Sequence, residues 1–218
     1  MPRRRHDFDR VAPFYEGLAR LYTGGGIARI KLSQIHEMPA RSRVLYAGGG
    51  AGEDALAAAQ AGHRVTLIDS SLEMTRRAVK RARSERRDLE VICKDLQEHR
   101  RFDHYDVVAA NFFLNVFETK SMCRMLAHLT RLLRPQGMIF IADFAEPKGR
   151  WLEPLMQQIY YGIPLLFFTA LSGNDWHAIH DYRPALHEAG CGETHRRTMR
   201  IFRRGPKWLA TYSAKRVA

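Results

Sequence analysis

The stretch VLYAGGGAGEDALAAAQAGHRVTLIDSS, residues 44–71, decides the fold. An apolar run leads into three consecutive glycines, Gly48, Gly49 and Gly50, and a fourth follows at Gly52. Residues 43–47, RVLYA, have the length and apolar content of a buried strand. The alanine-rich residues 53–61 read as a helix closed by Gly62. A second apolar run, RVTLID at 64–69, ends on Asp69. Strand, glycine turn, helix and strand form one crossover unit, whose ligand crevice lies at the carboxyl ends of the strands.

The same alternation continues outward. Ser70 stands three residues before Glu73, the spacing of a capping box, and opens a basic helix. EVICKD (90–95), YDVVAAN (105–111) and MIFIAD (138–143) read as strands three to five. Between them, Met122, Met125, Leu126, Leu129, Leu132 and Leu133 repeat at helical spacing, and RPQG makes a turn. HDYRPALHEAGC reads as a helix ending at Gly190, and ETHRRTMRIF and KWLATYSAK as an antiparallel pair joined by RRGP. The fold class is therefore α/β, a doubly wound, mostly parallel sheet covered on both faces. One domain, 1–218, is expected, with residues 8–31 and the apolar, proline-broken residues 148–181 folding over the site as a lid.

Composition narrows the setting. Lys and Arg number 35 against 23 Asp and Glu, so the chain favours acidic partners. Seven of those cations fall in TRRAVKRARSERR, 75–87. Three scattered cysteines predict reduced thiols, a cytoplasmic setting and no metal site. MPRRRHDFDR is charged but lacks an apolar run behind it, so no export signal is expected. IYYGIPLLFFTAL, 159–171, is too short to span a bilayer.

The glycine spacing separates two ligand classes. A dinucleotide site wants G-x-G-x-x-G, but counting from Gly48 the third glycine position is Glu53, a carboxylate where phosphates would lie. The observed spacing is G-x-G-x-G, which suits a ligand without phosphate such as S-adenosylmethionine (SAM). Asp69 is then placed to grip the ribose hydroxyls. Asp95 can accept from the adenine amino group, with the Leu96 N–H facing a ring nitrogen. Asn111 and Asp143 complete a polar rim at the strand ends.

At this point the sequence resembles the class I SAM-dependent methyltransferases. VLYAGGGAGEDA, LIDSSLEM, CKDL and LLRPQGMIFIADF are similar to successive motifs of that family, over roughly residues 40–145. The resemblance implies a seven-stranded sheet with a reversed last strand. It also implies a cofactor set of Gly48, Gly49, Gly50, Gly52, Asp69, Ser70, Met74, Asp95, Leu96 and Asn111. Tyr46 departs from it: the family usually carries an acidic residue there, which helps hold the methionyl amino group. FDRVAPFYEGLARLYTGGGIARIKL and FFLNVFETK resemble the ubiquinone/menaquinone C-methyltransferases in particular. That resemblance makes Tyr15 a lid residue at the acceptor. His177, His180 and Asp181, where the insertion ends, are the candidate bases.

The expected function is methyl transfer from SAM to a small lipophilic or aromatic acceptor such as a quinol or lipid, with peripheral contact to an anionic membrane face. The competing readings are a nucleic-acid methyltransferase and a noncatalytic SAM-fold binding protein. Against the first, NFFL begins with Asn111 but lacks the prolines of amino-adenine enzymes. The oligomeric state is open, a homodimer being one option.

Overall fold

A computed structural model of the chain describes residues 22–146, 155–157, 159–160 and 179–217. Seven strands form one sheet: β1 (Arg43–Ala47), β2 (Arg64–Asp69), β3 (Glu90–Cys93), β4 (Tyr105–Asn111), β5 (Leu133–Phe144), β6 (Cys191–Met199) and β7 (Leu209–Arg216). Their order is β3-β2-β1-β4-β5-β7-β6. The first five run parallel, and β7 pairs antiparallel with both β5 and β6, so β7 is the reversed strand. Among the described residues the helices are α1 (Gly26–Ser33), α2 (Glu53–Gln60), α3 (Leu72–Ser84), α4 (Thr119–Leu132) and α5 (Tyr182–Glu188).

The two-residue period of the strands sorts side chains into two cores. Leu45, Val108, Ala110, Ile139 and Ile141 face α4, which supplies Met122, Met125, Leu126 and Leu129. Val44, Tyr46, Val107, Ala109 and Phe140 face the opposite side, where Ala55 and Ala58 of α2 pack. Both faces of β1, of β4 and of residues 139–143 of β5 are mostly buried, which is why these strands read as continuous apolar runs. Each such Leu or Ile contributes roughly 1.5–3 kcal/mol by burial.

Several boundaries differ from expectation by a few residues, and two of them have a clear physical reason. The RPQG residues lie inside β5: while β4 advances from Tyr105 to Val107, β5 runs from Leu133 to Met138. The expected turn is a bulge in a strand that starts early, with Gln136 at φ 64°. The cap of α3 is Ser71 and not Ser70. The Ser71 Oγ accepts from the Met74 N–H at 3.1 Å, which leaves Glu73 at N2 and Met74 at N3, so the expected capping box does not form.

Of the expected lid segments, residues 8–21, 148–154, 158 and 161–178 lie outside the described residues. The described parts meet each other. Tyr22 and Tyr160 stack with centroids 4.2 Å apart, and Tyr160 lies 5.3 Å from Trp208. Among the described residues no helix is long and apolar enough to cross a membrane.

Candidate functional site

The glycine turn sits at the carboxyl end of β1 and is built from its neighbours. Gly48 has φ +62°, and a Cβ there would lie 2.2 Å from the Phe113 ring. A Cβ at Gly49 would lie 2.6 Å from Leu67, so that glycine serves the packing of loop on sheet. Gly50 has φ +54° and open space where a side chain would stand. Gly52 is the N-cap of α2, and its conformation is also left-handed. Below the turn, Met74 and Ala51 form a small buried pair, and Arg81 Nη1 donates to the Ala51 carbonyl at 3.0 Å.

Asp69, at the end of β2, ties this turn to the next strand. Its Oδ2 accepts from the Gly50 N–H at 2.9 Å, and its Oδ1 from the Ser71 N–H at 2.9 Å. Asp95 follows β3 and is exposed; its Oδ1 accepts from the Gln97 N–H at 2.9 Å. Leu96 is buried, its carbonyl 3.0 Å from His128 Nε2. Ser70 is exposed. Asp69 and Asp95 thus stand at the carboxyl ends of adjacent strands, beside a backbone with open space at Gly50.

Asn111 is turned inward. Its Nδ2 donates to Asp54 Oδ2 at 3.0 Å, and its Oδ1 accepts from the Ala142 N–H at 3.0 Å. The side chain therefore fastens β4 to both α2 and β5. The next residue, Phe112, holds φ +52°, a left-handed conformation that a bulky side chain adopts only under constraint. This bend places Phe113 over Gly48 and Phe112 against Phe144, with ring centroids 5.2 Å apart.

Of the candidate bases, Tyr15 and His177 lie outside the described residues. His180 is buried, and its Nε2 lies 2.8 Å from the Phe117 carbonyl, so that nitrogen is engaged in holding the loop after β4. Asp181 is the N-cap of α5 and pairs with Arg183 at 2.7 Å. The Arg183 hydrogen bond holds its carboxyl below the usual range, which suits a cap rather than a base.

Asp54 escaped the sequence reading, and the contacts of Tyr46 and Asp143 were not legible in it. Asp54 is 2% exposed in the first turn of α2. It shares the buried face with Ala58, and its tertiary contact with Asn111 is what holds the acid there. Tyr46 is 1% exposed, and its hydroxyl has no hydrogen-bond partner among the described residues. Burial first, and the Asp54 charge second, push that hydroxyl well above its ordinary pKa, so it remains a donor. At the end of β5, Asp143 accepts from Tyr182 Oη at 2.5 Å and from Asn115 Nδ2 at 2.9 Å. Beside it, Glu146 accepts from Tyr212 Oη and from Arg196 Nη2, both at 2.7 Å.

The comparisons match this geometry. Residues 44–137 fit a family model described as a methyltransferase domain. Over those residues the chain is similar to a methyltransferase domain. A ubiquinone/menaquinone biosynthesis C-methyltransferase of Syntrophotalea carbinolica is 29% identical over 160 residues, covering 70% of the chain. The chain spans 64% of that relative's length. The Burkholderia thailandensis 1,6-didemethyltoxoflavin-N1-methyltransferase, solved with 1,6-didemethyltoxoflavin and S-adenosylhomocysteine, superposes at TM-score 0.70 with 18% identity, covering 96% of this chain and 86% of its own. A chain from the complex of the Haloferax volcanii Trm112 methyltransferase activator with a methyltransferase superposes at 0.74 with 16% identity, covering 98% and 99%. At the rim of the sheet stand an open backbone at Gly50, carboxylates at Asp69 and Asp95, and a buried hydroxyl at Tyr46.

Proposed function

We propose that the protein methylates a small lipophilic or aromatic acceptor, such as a quinol or a lipid. The observation that carries this reading is the bond from the Gly50 N–H to Asp69, which sets a carboxylate beside the open turn. Asp69 and Asp95 hold the nucleoside through sugar and base, and Leu96 lies along the ring. Gly50 lets backbone approach the ligand, while Gly48, Gly49 and Gly52 shape the turn. Ser70 and Met74 complete the second-strand side of the site. When bound, SAM supplies a methyl group on a positively charged sulfur.

The acceptor side is aromatic. Phe112 and Phe144 at the ends of β4 and β5 join Tyr160 and Trp208 in one cluster. These rings exclude water from a transition state in which charge spreads, and they orient a planar acceptor. The described residues give the reaction no ready base, since His180 Nε2 is committed to Phe117. Tyr15 and His177 remain the proposed lid residue and base. The relative from Syntrophotalea supports a quinol-like acceptor, and the toxoflavin-pathway neighbour supports a small planar one.

Access from an anionic membrane face accords with the basic surface. A groove of about 490 Å³ between α3 and β3 has Leu72, Val79 and Val91 in its lining, with Arg76, Lys80 and Arg83 beside them. Leu72 is 47% exposed. The same cations favour a second reading, a nucleic-acid acceptor. The test is calorimetric titration of the full chain with SAM and S-adenosylhomocysteine, followed by mass spectrometry of co-purified small molecules. Saturable binding of both, with a lipophilic co-purified molecule, supports the proposal. Absence of binding overturns it, and a co-purified nucleic acid turns it to the second reading.

A further inference from the structure

The described residues 155–157 and 159–160 are helical, and their polarity is inverted. Gln157 is 1% exposed and turns inward, its Nε2 donating to the Ala145 carbonyl at 2.6 Å. Leu155, Met156 and Ile159, at positions i, i+1 and i+4, share the opposite face. Met156 and Ile159 are each 60% exposed, and Leu155 is exposed with them. A helix that borders water turns its polar residues out and its apolar ones in. Single exposed apolar side chains are ordinary, but three on one face with an amide buried beneath them mark a contact surface.

The loop between β6 and β7 adjoins this segment. Tyr160 meets Phe202 edge-on, with ring centroids 6.2 Å apart. Phe202 is seated between two glycines, for a Cβ at Gly24 or at Gly205 would lie 2.9 Å from its ring, and yet it is exposed. The loop is tightly knit: Arg200 Nη1 donates to the Gly205 carbonyl at 2.7 Å, and the Ile201 N–H to the Pro206 carbonyl at 3.0 Å. Residues 199–208 hold four cations, Arg200, Arg203, Arg204 and Lys207, and no acid. All four are exposed, and among the described residues no ion pair engages them. Met199 pairs with Leu209, and Leu209 with Phe144 at the end of β5. The loop therefore stands at the carboxyl rim of the sheet, beside the ring cluster of Phe112, Phe144, Tyr160 and Trp208.

We propose that Leu155, Met156, Ile159 and Phe202, with Arg200, Arg203, Arg204 and Lys207, dock the protein on an anionic phospholipid bilayer. The apolar side chains enter the boundary between headgroups and acyl chains, and the cations meet the lipid phosphates. The inference rests on the membrane access proposed above and adds the surface that makes it. The groove between α3 and β3 lies at the opposite edge of the sheet. The groove draws the protein in by charge, whereas this surface holds it by burial. Docked so, the ring cluster stands next to the phase in which a lipophilic acceptor dissolves.

Co-sedimentation of the full chain is measured with vesicles of phosphatidylcholine alone and of phosphatidylcholine mixed with phosphatidylglycerol. Met156→Ser combined with Ile159→Ser is expected to weaken binding to the mixed vesicles roughly 10- to 100-fold, the loss of several buried methylenes. Arg203→Gln, Arg204→Gln and Lys207→Gln together should weaken it roughly 100-fold. These side chains are exposed, so both variants should melt with the wild type and bind S-adenosylhomocysteine unchanged. Met156→Trp reports insertion directly: the added tryptophan emission should shift to the blue on mixed vesicles and be quenched by brominated acyl chains. Wild-type affinity in the double serine variant, or no blue shift in Met156→Trp, overturns the inference and leaves contact through the groove standing. A wild-type dimer that the two serines dissociate, with vesicle binding unchanged, also overturns it and assigns the face to a second copy. A wild-type chain that binds neither vesicle overturns the membrane access itself, while its titration with S-adenosylhomocysteine still tests the cofactor reading.

Discussion

The rings of Tyr22 and Tyr160 stack 4.2 Å apart, and each hydroxyl donates to the other residue's carbonyl. One residue precedes α1 and the other belongs to the segment between β5 and α5, so the pair joins two parts of the chain that sequence separates widely. Burial pushes the Tyr22 hydroxyl up to about 12, so both hydroxyls stay protonated donors across the working pH range. The pair leans on Trp208 and Phe202, beside the ends of β4 and β5.

Removing this clasp is expected to loosen the acceptor side alone. Tyr160→Ala loses the stack and the bond donated by its own hydroxyl, costing roughly 1–3 kcal/mol of stability. Acceptor KM should rise about 10-fold, with S-adenosylhomocysteine affinity held within twofold. Tyr160→Phe, which keeps the ring, should recover most of the stability. Thermal melts and steady-state kinetics check both parts, and an equal loss of cofactor affinity would show that the clasp supports the whole rim.

The glycine turn predicts a severe substitution. Gly48→Ala places a Cβ 2.2 Å from the Phe113 ring at φ +62°. Both the left-handed backbone and the collision disfavour it, together by about 2–4 kcal/mol. Gly50→Ala meets no atom within 4 Å, so it carries the backbone penalty alone. Denaturant melts should therefore rank Gly48→Ala well below Gly50→Ala in stability, while Gly50→Ala loses ligand affinity disproportionately.

Much of this architecture was legible because the buried parallel strands read as unbroken apolar runs. β1, β2 and β4 fall where the runs place them, and the α4 face follows its helical spacing residue by residue. RPQG misled because proline and glycine also mark bulges, and only the register against Tyr105 and Val107 distinguishes the two. Ser70 and Ser71 have the same side chain, so spacing from Glu73 favoured one while backbone geometry selected the other. At the site, Asp69 was visible as the last residue of an apolar run. Asp54 was not singled out, because an acid in a helix's first turn is ordinary and only tertiary packing buries it. Asn111 was placed correctly on the rim, yet its side chain turns to Asp54 and the Ala142 N–H, a choice no sequence pattern records.

Acid should weaken the fold through His99. This side chain is buried, with Nε2 2.9 Å from the Tyr105 hydroxyl, and burial, then the Arg101 and Lys94 charges, lower its pKa to about 4. The unfolded chain takes up that proton near 6.5, before the folded one does. Stability is therefore fully present above pH 6.5 and declines as pH falls from there towards 4. His63, His104 and His128, also lowered by burial, add to the same slope. His99→Gln should give a flatter plot of melting temperature against pH over that interval. An unchanged slope would assign the acid sensitivity to other groups.

The cationic groove should bring the protein to acidic surfaces. Vesicles containing anionic phospholipid are expected to bind it, and neutral vesicles not to. Raising salt from 50 to 200 mM should release most of the bound protein. Charge reversal at Arg76, Lys80 and Arg83, which line the groove, should abolish binding and leave S-adenosylhomocysteine affinity intact. Retention of tRNA at moderate salt with no vesicle binding would favour the nucleic-acid reading.

The most direct measurement is calorimetric titration of the full chain and of Asp69→Asn with S-adenosylhomocysteine. The carboxylate that joins Gly50 to the end of β2 should hold the ribose. Wild type is predicted to bind one equivalent, and Asp69→Asn to bind roughly 10- to 100-fold more weakly while melting as a folded protein. Equal affinity in the two chains, or no binding by the wild type, contradicts the account.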